Sequence, residues 1–199
     1  MLKLIFILLA WACLLCSPVF AADVQKSLVV VFGFEGGLQC DRNDPGNWTS
    51  GRVGTGRQGC TKYGIATNTY PNLDIRDLTI QQAARLYERD FWNPNHLTEF
   101  ESQALATEIF DTSVNCGVGT GANIVIHLVN IFGPAHYPLN GKVNSEMIEW
   151  INKYTRKKAN RTSFYIALNV LQGERYLDII ERNPKMMRYS NSWFPRVGR

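Results

Sequence analysis

From Pro71 to the C-terminus, apolar residues recur at helical spacing in five successive segments. The predicted helices begin at Thr79, Glu101, Ala122, Asn144 and Arg161. Thr79 and Gln82 have the spacing of a capping box, and Pro184 is expected to end the last helix. Residues 193–195, Trp-Phe-Pro, are expected to pack the tail onto this bundle. The chain is therefore predicted to be mainly α.

The part before Pro71 has a different composition. Leu38 to Cys60 is rich in Gly, Asp and Asn, which predicts turns and a long surface loop or ragged hairpin. Thr61 to Thr67 is predicted to form a short strand, so a small irregular β element is expected in the N-terminal third. Residues 54–59 match a dinucleotide-binding pattern, but no strand precedes them and no helix follows, so no such site is predicted.

The N-terminus has the pattern of a secretory signal. Lys3 precedes thirteen uncharged, largely apolar residues, and small residues stand before a cut after Ala21. Residues 1–21 are therefore predicted to be a signal peptide, and the protein to be periplasmic or secreted. The alternative is an uncleaved membrane anchor, although the apolar run is short for a full span.

Charge limits the partners that this chain would bind. Removing the leader with Lys3 leaves 20 basic and 17 acidic side chains, a net charge of +3. A mildly basic exported protein suits an anionic partner such as a bacterial wall. Its basic residues are scattered, which does not favour specific DNA binding. No nucleic-acid partner is predicted, membrane contact is expected only through an uncleaved leader, and a monomer is expected.

Three cysteines remain after the leader is removed. In an oxidising compartment Cys40 and Cys60 are predicted to form a disulfide, which would stabilise the loop between them by about 3 kcal/mol. Cys116 would then be a buried small hydrophobe or would pair with another thiol.

The histidines do not indicate a metal site. They show no metal-ligand spacing, and no paired Cys-x-x-Cys motif stands outside the leader. His127 lies in an apolar segment and is predicted to be a core histidine. No metal and no cofactor are expected.

Glu35 is the first candidate for chemistry. It stands in the run Phe32-Gly-Phe-Glu-Gly-Gly-Leu38, at the predicted end of a helix that runs from Val24 to the Gly36-Gly37 pair. The negative end of the helix dipole and apolar neighbours would disfavour its carboxylate form, which predicts a raised pKa suited to a general acid. A solvated glutamate in a last helical turn is the simpler alternative.

Asp44 follows Glu35 by nine positions on a loop that could fold back over the helix end. An inverting glycosidase needs an acid and a second carboxylate roughly 6.5 to 9.5 Å apart, with water between them. Asp44 is the predicted second carboxylate and Asp41 is its rival. Thr61, just before Gly64-Ile65, is predicted to orient the water.

Glu35, Asp44 and Thr61 resemble the catalytic signature of T-even phage lysozymes, with a longer loop between the Asp and the Thr. Nearly the whole mature chain is similar to the muramidases of glycoside hydrolase family 108. The matching blocks are Phe34-Glu-Gly-Gly-Leu, Asn43-Asp-Pro-Gly-Asn-Trp-Thr, Thr61-Lys-Tyr-Gly-Ile, Leu78-Thr-Ile-Gln-Gln-Ala-Ala-Arg-Leu-Tyr, Phe91-Trp and Phe110-Asp-Thr-Ser-Val-Asn-Cys-Gly-Val-Gly.

The resemblance implies a two-lobed, lysozyme-like helical fold. Residues 22–118 would form the catalytic lobe, and 119–199 a helical lobe similar to a peptidoglycan-binding segment. The implied activity is an N-acetylmuramidase that cleaves the β-1,4 bond between N-acetylmuramic acid and N-acetylglucosamine in peptidoglycan. Leu38 departs from the aromatic that the family often has there, and Asn47 from a frequent acid, so a role for an acid at position 47 is lost.

Four residues are predicted to bind sugar. Asp111 and Asn115 are one helical turn apart and face the same way. Trp48 offers an apolar face to a pyranose ring, and Tyr63 lies in the Thr61 block. Two other functions stay open: a lytic transglycosylase that uses Glu35 alone, and a wall-binding or secretion-associated protein with no turnover.

Overall fold

The computed structural model describes residues 21–33 and 36–198, and it confirms a mainly helical fold with a small β-sheet in the N-terminal third. The predicted leader up to residue 20 and Glu35 lie outside the described residues. Within the described part the α-helices are α1 (Val24–Phe32), α2 (Ile80–Tyr87), α3 (Gln103–Cys116), α4 (Val118–Phe132), α5 (Ser145–Thr155), α6 (Lys158–Arg182) and α7 (Ser190–Trp193). The strands are β1 (Thr61–Lys62) and β2 (Ile65–Ala66).

Short helical turns connect these elements. A π-helical segment, Glu88–Trp92, continues directly from α2. The 3-10 turns of the described chain are Pro45–Asn47, Asn93–Asn95, Leu97–Glu99, Pro184–Tyr189 and Phe194–Arg196.

Helix α1 ends earlier than the sequence predicts. Gly33, rather than the Gly36-Gly37 pair, closes the helix, and its backbone N–H bonds back to carbonyls of the last turn. Gly36 instead accepts a hydrogen bond from the backbone N–H of Tyr63 at 3.0 Å. The chain therefore leaves the helix to join the β-hairpin, a long-range pairing that local helix-stop signals do not report.

The predicted strand from Thr61 to Thr67 is a tight hairpin. Strands β1 and β2 pair antiparallel, with Thr61 opposite Ala66. Tyr63 and Gly64 make the turn at φ 53° and 74°, the left-handed conformation that two-residue hairpin turns require. Gln39 adds an isolated bridge to Thr61, so the segment after α1 extends the hairpin by one pairing.

Helices α2 and α3 follow the local sequence signals closely. The capping box of Thr79 and Gln82 is present, with both reciprocal hydrogen bonds. Helix α3 begins at Gln103, where the Ser102 hydroxyl caps it, two residues after the predicted start. Trp92, at the end of the π-helical segment, is buried and packs edge-on to Phe110 of α3.

Helix α4 begins earlier than predicted. The sequence predicts that this helix begins at Ala122, but α4 already starts at Val118. Gly117 alone makes the connection, at φ 92°, which a residue with a side chain would adopt only with strain. Because one residue joins α3 and α4, the two helices pack tightly against each other.

The C-terminal half closes over α3 and α4. Asn144 caps α5, and α6 is the longest helix of the described chain at 25 residues. The prediction that the tail packs on the bundle is confirmed, since the rings of Trp193 and Phe194 lie 5.2 and 6.0 Å from that of Tyr176 on α6. The buried apolar residues from Ala22 to Leu168 form one contiguous cluster. Among the described residues, no helix has both the length and the apolar character needed to cross a bilayer.

Candidate functional site

The loop between α1 and the hairpin holds Asp44 in a fixed position. Asp44 caps the 3-10 turn Pro45–Asn47, and its Oδ1 accepts the backbone N–H of Gly46 at 2.8 Å. Its Oδ2 accepts the side-chain amide of Gln39 at 2.7 Å. The predicted disulfide between Cys40 and Cys60 is present and ties this loop to the residue before β1. The half-buried carboxylate is thus oriented by two donors while solvent still reaches it.

A continuous set of side-chain hydrogen bonds joins Asp44 to Thr61. The Thr61 hydroxyl donates to Asn47 Oδ1 at 2.8 Å, and Asn47 Nδ2 donates to Gln39 Oε1 at 2.9 Å. Gln39 Nε2 then donates to Asp44. We call Gln39, Asp44, Asn47 and Thr61 the hairpin network. Two of the three predicted catalytic residues therefore belong to one polar cluster.

Asn47 is the buried centre of the hairpin network. Its Nδ2 donates to Gln39 Oε1 and also to the backbone carbonyl of Asp41, both at 2.9 Å, and its side chain is fully buried. A carboxylate has no N–H to offer these two acceptors. The structure thus gives a physical reason for an amide at position 47 in this chain, where the family often has an acid.

Asp41, the rival second carboxylate, lies outside the hairpin network. Its Oδ1 accepts the backbone and side-chain N–H groups of Asn43, at 2.9 and 3.3 Å, in a local turn. The side chain is exposed. Asp41 contacts Gln39 and Asn47 through its backbone only, so Asp44 and Asp41 differ in that only the Asp44 carboxylate is linked to Thr61.

Tyr63 forms the junction between the hairpin and the segment that contains Glu35. Its backbone N–H donates to Gly36 and its carbonyl accepts the Tyr87 hydroxyl at 3.1 Å. Its ring centre lies 6.4 Å from that of Phe32, the last residue of α1. The described residues on both sides of the Glu35 segment, Phe32 and Gly36, thus contact the same hairpin residue.

Trp48 braces the loop. Its indole Nε1 donates to the carbonyl of Arg42 at 2.9 Å, and its backbone pairs with Gln58 across the loop. The residue remains half-buried, so part of its surface faces solvent.

Asp111 and Asn115 lie in a different environment from the hairpin network. The Asp111 carboxylate is 3% exposed and forms an ion pair with Arg196 at 2.8 Å, and Gln172 Nε2 lies 3.3 Å from its second oxygen. Asn115 donates to the backbone carbonyl of Asp111. We call Asp111, Gln172 and Arg196 the C-terminal junction, because they fasten the tail to α3 and α6. Sugar contact by Asp111 and Asn115 stays a prediction.

Two residues near Asp111 were not singled out from the sequence. Glu108 is buried one turn before Asp111, and the Tyr165 hydroxyl lies 3.3 Å from its Oε2. Together with Val30 of α1 they border a cavity of about 140 Å³. Two acids three positions apart within an apolar helix were the sequence signal, but their partners come from α6 and the tail.

In the described chain, no set of three or more His, Cys, Asp or Glu side chains is placed to hold a metal ion. Cys116 is a free, half-buried thiol, and burial raises its pKa to about 11. The prediction that His127 is a core residue is wrong, because it is exposed and lines a groove between α4 and α6.

Comparison with known proteins agrees with the residue pattern. Residues 28–117 match the family described as glycosyl hydrolase 108. The fold is similar to the structure of Brucella abortus SagA, with a TM-score of 0.61 and 16% sequence identity over 87% of this chain and 88% of that chain. At this identity the likeness concerns the fold alone. No curated protein matches the sequence.

Proposed function

We propose that this chain hydrolyses peptidoglycan, because residues 28–117 match the glycosyl hydrolase 108 family, whose members are glycosidases. The bond cleaved is the β-1,4 linkage between N-acetylmuramic acid and N-acetylglucosamine. The observation that most supports this function is the hairpin network, which links a solvent-accessible carboxylate, Asp44, to the hydroxyl of Thr61 in the hairpin that is bonded to Gly36.

Glu35 is the proposed general acid. It gives its proton to the oxygen of the leaving sugar while the glycosidic carbon–oxygen bond breaks. Described residues on either side of it support this role, since Gly36 is bonded to Tyr63 at the hairpin turn and the Phe32 ring packs edge-on to Tyr87 at 5.4 Å.

Asp44 is the proposed general base. It takes a proton from a water molecule as that water attacks the anomeric carbon from the face opposite the leaving group, which inverts the configuration. Thr61 orients this water. Because the Thr61 hydroxyl already donates its proton to Asn47, its oxygen is left to accept a hydrogen bond from the water.

Trp48 and Tyr63 are the proposed sugar contacts nearest these groups. Both are half-buried and flank the hairpin network, so each can present an aromatic face to a pyranose ring. The partner is the glycan of the bacterial wall. The protein is proposed to act outside the cytoplasm after removal of residues 1–21. Ala22, the first residue after that cut, donates its backbone N–H to the Phe100 carbonyl at 2.9 Å, and the terminal ammonium that the cut creates there can still donate to this carbonyl.

The test is digestion of purified sacculi with residues 22–199, followed by mass spectrometry of the new sugar ends. Reducing N-acetylmuramic acid ends are expected. Anhydro ends would instead identify a lytic transglycosylase, and binding without cleavage would identify a non-catalytic wall protein.

Two variants of one loop assign the second carboxylate. Asp44→Asn is expected to lower kcat by about 100-fold or more, the usual contribution of a general base. Asp41→Asn removes the same charge three residues away and is expected to leave kcat within a few-fold of wild type. Full activity in Asp44→Asn would contradict the inverting mechanism, and full activity in Glu35→Gln would contradict the assignment of the acid.

A further inference from the structure

A groove with a volume of about 630 Å³ lies between α4 and α6, apart from the hairpin network. Helix α4 contributes Thr120, Asn123 and His127, which share one face of that helix. Three aliphatic side chains, Ile124, Leu171 and Leu177, also line the groove. Its volume is in the range of pockets that hold small organic ligands or a few residues of peptide.

The α6 wall of the groove is acidic. Glu174, Asp178 and Glu181 line it together with a single cation, Arg175, although the whole sequence has a net charge of +4. Asp178 is neutralised by Arg175 and Arg182, each at 2.7 Å. Glu174 and Glu181 are exposed and have no ion-pair partner within the described ranges. The groove therefore offers two uncompensated carboxylates on a basic protein.

The spacing of these carboxylates favours an organic cation over a metal ion. Glu174 and Glu181 are seven residues, or about 10 Å, apart along the helix. The part of the chain that the structure describes has no group of three acidic, histidine or cysteine side chains that could share a metal ion, this groove included. An aliphatic chain that ends in an ammonium group matches both the acidic wall and the aliphatic lining.

The proposed substrate contains a group of this kind. A diamino acid in a wall peptide has an aliphatic side chain that ends in an amine, and this amine is an ammonium group at neutral pH.

We propose that this groove binds the stem peptide of peptidoglycan through the free amine of its diamino acid, an inference that rests on the proposed function. The ammonium pairs with Glu174 or Glu181, and the aliphatic stem lies against Leu171 and Leu177. Bound there, the peptide anchors the enzyme to the wall while the hairpin network acts on the glycan.

The test is calorimetric titration of residues 22–199 with a synthetic stem peptide whose diamino acid has a free amine, and with the same peptide acetylated at that amine. Acetylation is expected to weaken binding about two- to fivefold, because it removes the charge that pairs with exposed carboxylates of the groove. The double variant Glu174→Gln/Glu181→Gln is expected to weaken binding of the free-amine peptide to a similar extent. Raising the salt concentration should weaken binding to the wild type in the same direction.

The matched control is Asp77→Asn/Glu149→Gln, which removes the same charge from exposed positions, Asp77 outside the groove and Glu149 on α5. It is expected to bind the free-amine peptide as the wild type does. Thermal unfolding of both double variants checks that they are folded. Equal affinity for the two peptides, no binding by the wild type, or unchanged affinity in Glu174→Gln/Glu181→Gln would each overturn the proposal.

A second measurement, turnover of glycan without peptide, separates peptide binding from the proposed glycosidase activity. On glycan strands stripped of peptide, Glu174→Gln/Glu181→Gln is expected to turn over at the wild-type rate. Loss of that turnover would mean that the groove belongs to the glycan site, which would contradict peptide binding as its role. Peptide titration does not require turnover, so its outcome stands whether or not the chain cleaves glycan.

Discussion

The hairpin network and the C-terminal junction both contain an aspartate that the sequence marks as a site candidate, yet they are built in opposite ways. Side-chain partners in the hairpin network are 5 to 14 positions apart, and its carboxylate is half-buried. Partners in the C-terminal junction are 61 and 85 positions apart, and its ion pair is buried. A carboxylate that water reaches can act on a substrate, whereas one enclosed with an arginine chiefly fixes the tail.

The largest loss of stability is expected when the ion pair of the C-terminal junction is removed. Arg196→Met leaves the Asp111 carboxylate buried without its arginine, which should lower the free energy of unfolding by about 3 to 5 kcal/mol. Urea unfolding measures the change. Arg188→Met, at an exposed position in the same tail, is the control and should change stability by less than about 0.5 kcal/mol. A loss below about 1 kcal/mol in Arg196→Met would mean that the junction is solvated and the contrast is mistaken.

The next largest effect is expected when the disulfide that closes the loop around the hairpin network is removed. Cys40→Ala/Cys60→Ala opens a loop with a sequence separation of 20, which should cost about 3 kcal/mol by the loop-entropy estimate. Cys116→Ala, at the free half-buried thiol, is the control and should cost clearly less. Unfolding of the wild type and of both variants under oxidising conditions measures the two losses of stability. Equal stability of wild type and the double variant would mean that side-chain hydrogen bonds alone order this loop.

A smaller effect is expected inside the hairpin network. Asn47→Asp removes the N–H groups that bond to Gln39 Oε1 and the Asp41 carbonyl, leaving two acceptors without donors, at a cost of about 1 to 3 kcal/mol. The same exchange at exposed Asn43 should be within about 0.5 kcal/mol of wild type. Stability of both is read from urea midpoints. A stable, more active Asn47→Asp would show that an acid is accommodated at this position.

The smallest effect concerns Asp90, which ties the loop after the hairpin to the π-helical segment. Arg89 first, and then the Tyr70 hydroxyl at 2.6 Å, lower the pKa of Asp90. A lowered folded-state pKa contributes stability above the unfolded value near about 4, and that contribution is lost as the pH falls through the folded value. Asp90→Asn should therefore be less stable than wild type by less than about 1 kcal/mol at pH 7, with the gap closing below about pH 4. Thermal unfolding between pH 3 and pH 7 measures it, and a gap that widens towards pH 3 would contradict it.

The sequence was informative where the structure depends on near neighbours. Periodicity located α2 to α6, and the Thr79 capping box is a contact between residues three apart. The disulfide was predicted from the number of cysteines and from an oxidising compartment, and the compartment itself stays a prediction. The ends of elements were less accurate: α1 stops before Gly36 because that residue bonds to Tyr63, and α4 starts at Val118 because Gly117 alone turns the chain.

For the candidate site as well, the sequence predicted some residues and missed others. Asp44 and Thr61 were named from spacing, but Gln39, which joins Asp44 to Asn47, has no signal of its own in the sequence. His127 was misjudged because the apolar character of α4 does not reveal that one of its faces borders a groove with α6.

The amino-acid sequence by itself determined the helical architecture, the loop disulfide and the match of residues 28–117 to a glycosidase family, because these depend on residue type and short spacing. Only the tertiary structure decided that Asp111 is enclosed with Arg196 while Asp44 meets solvent, and that α4 and α6 enclose an acidic groove. Whether a charged side chain is buried or exposed to solvent depends on which distant segments pack beside it. The local sequence pattern does not encode that packing.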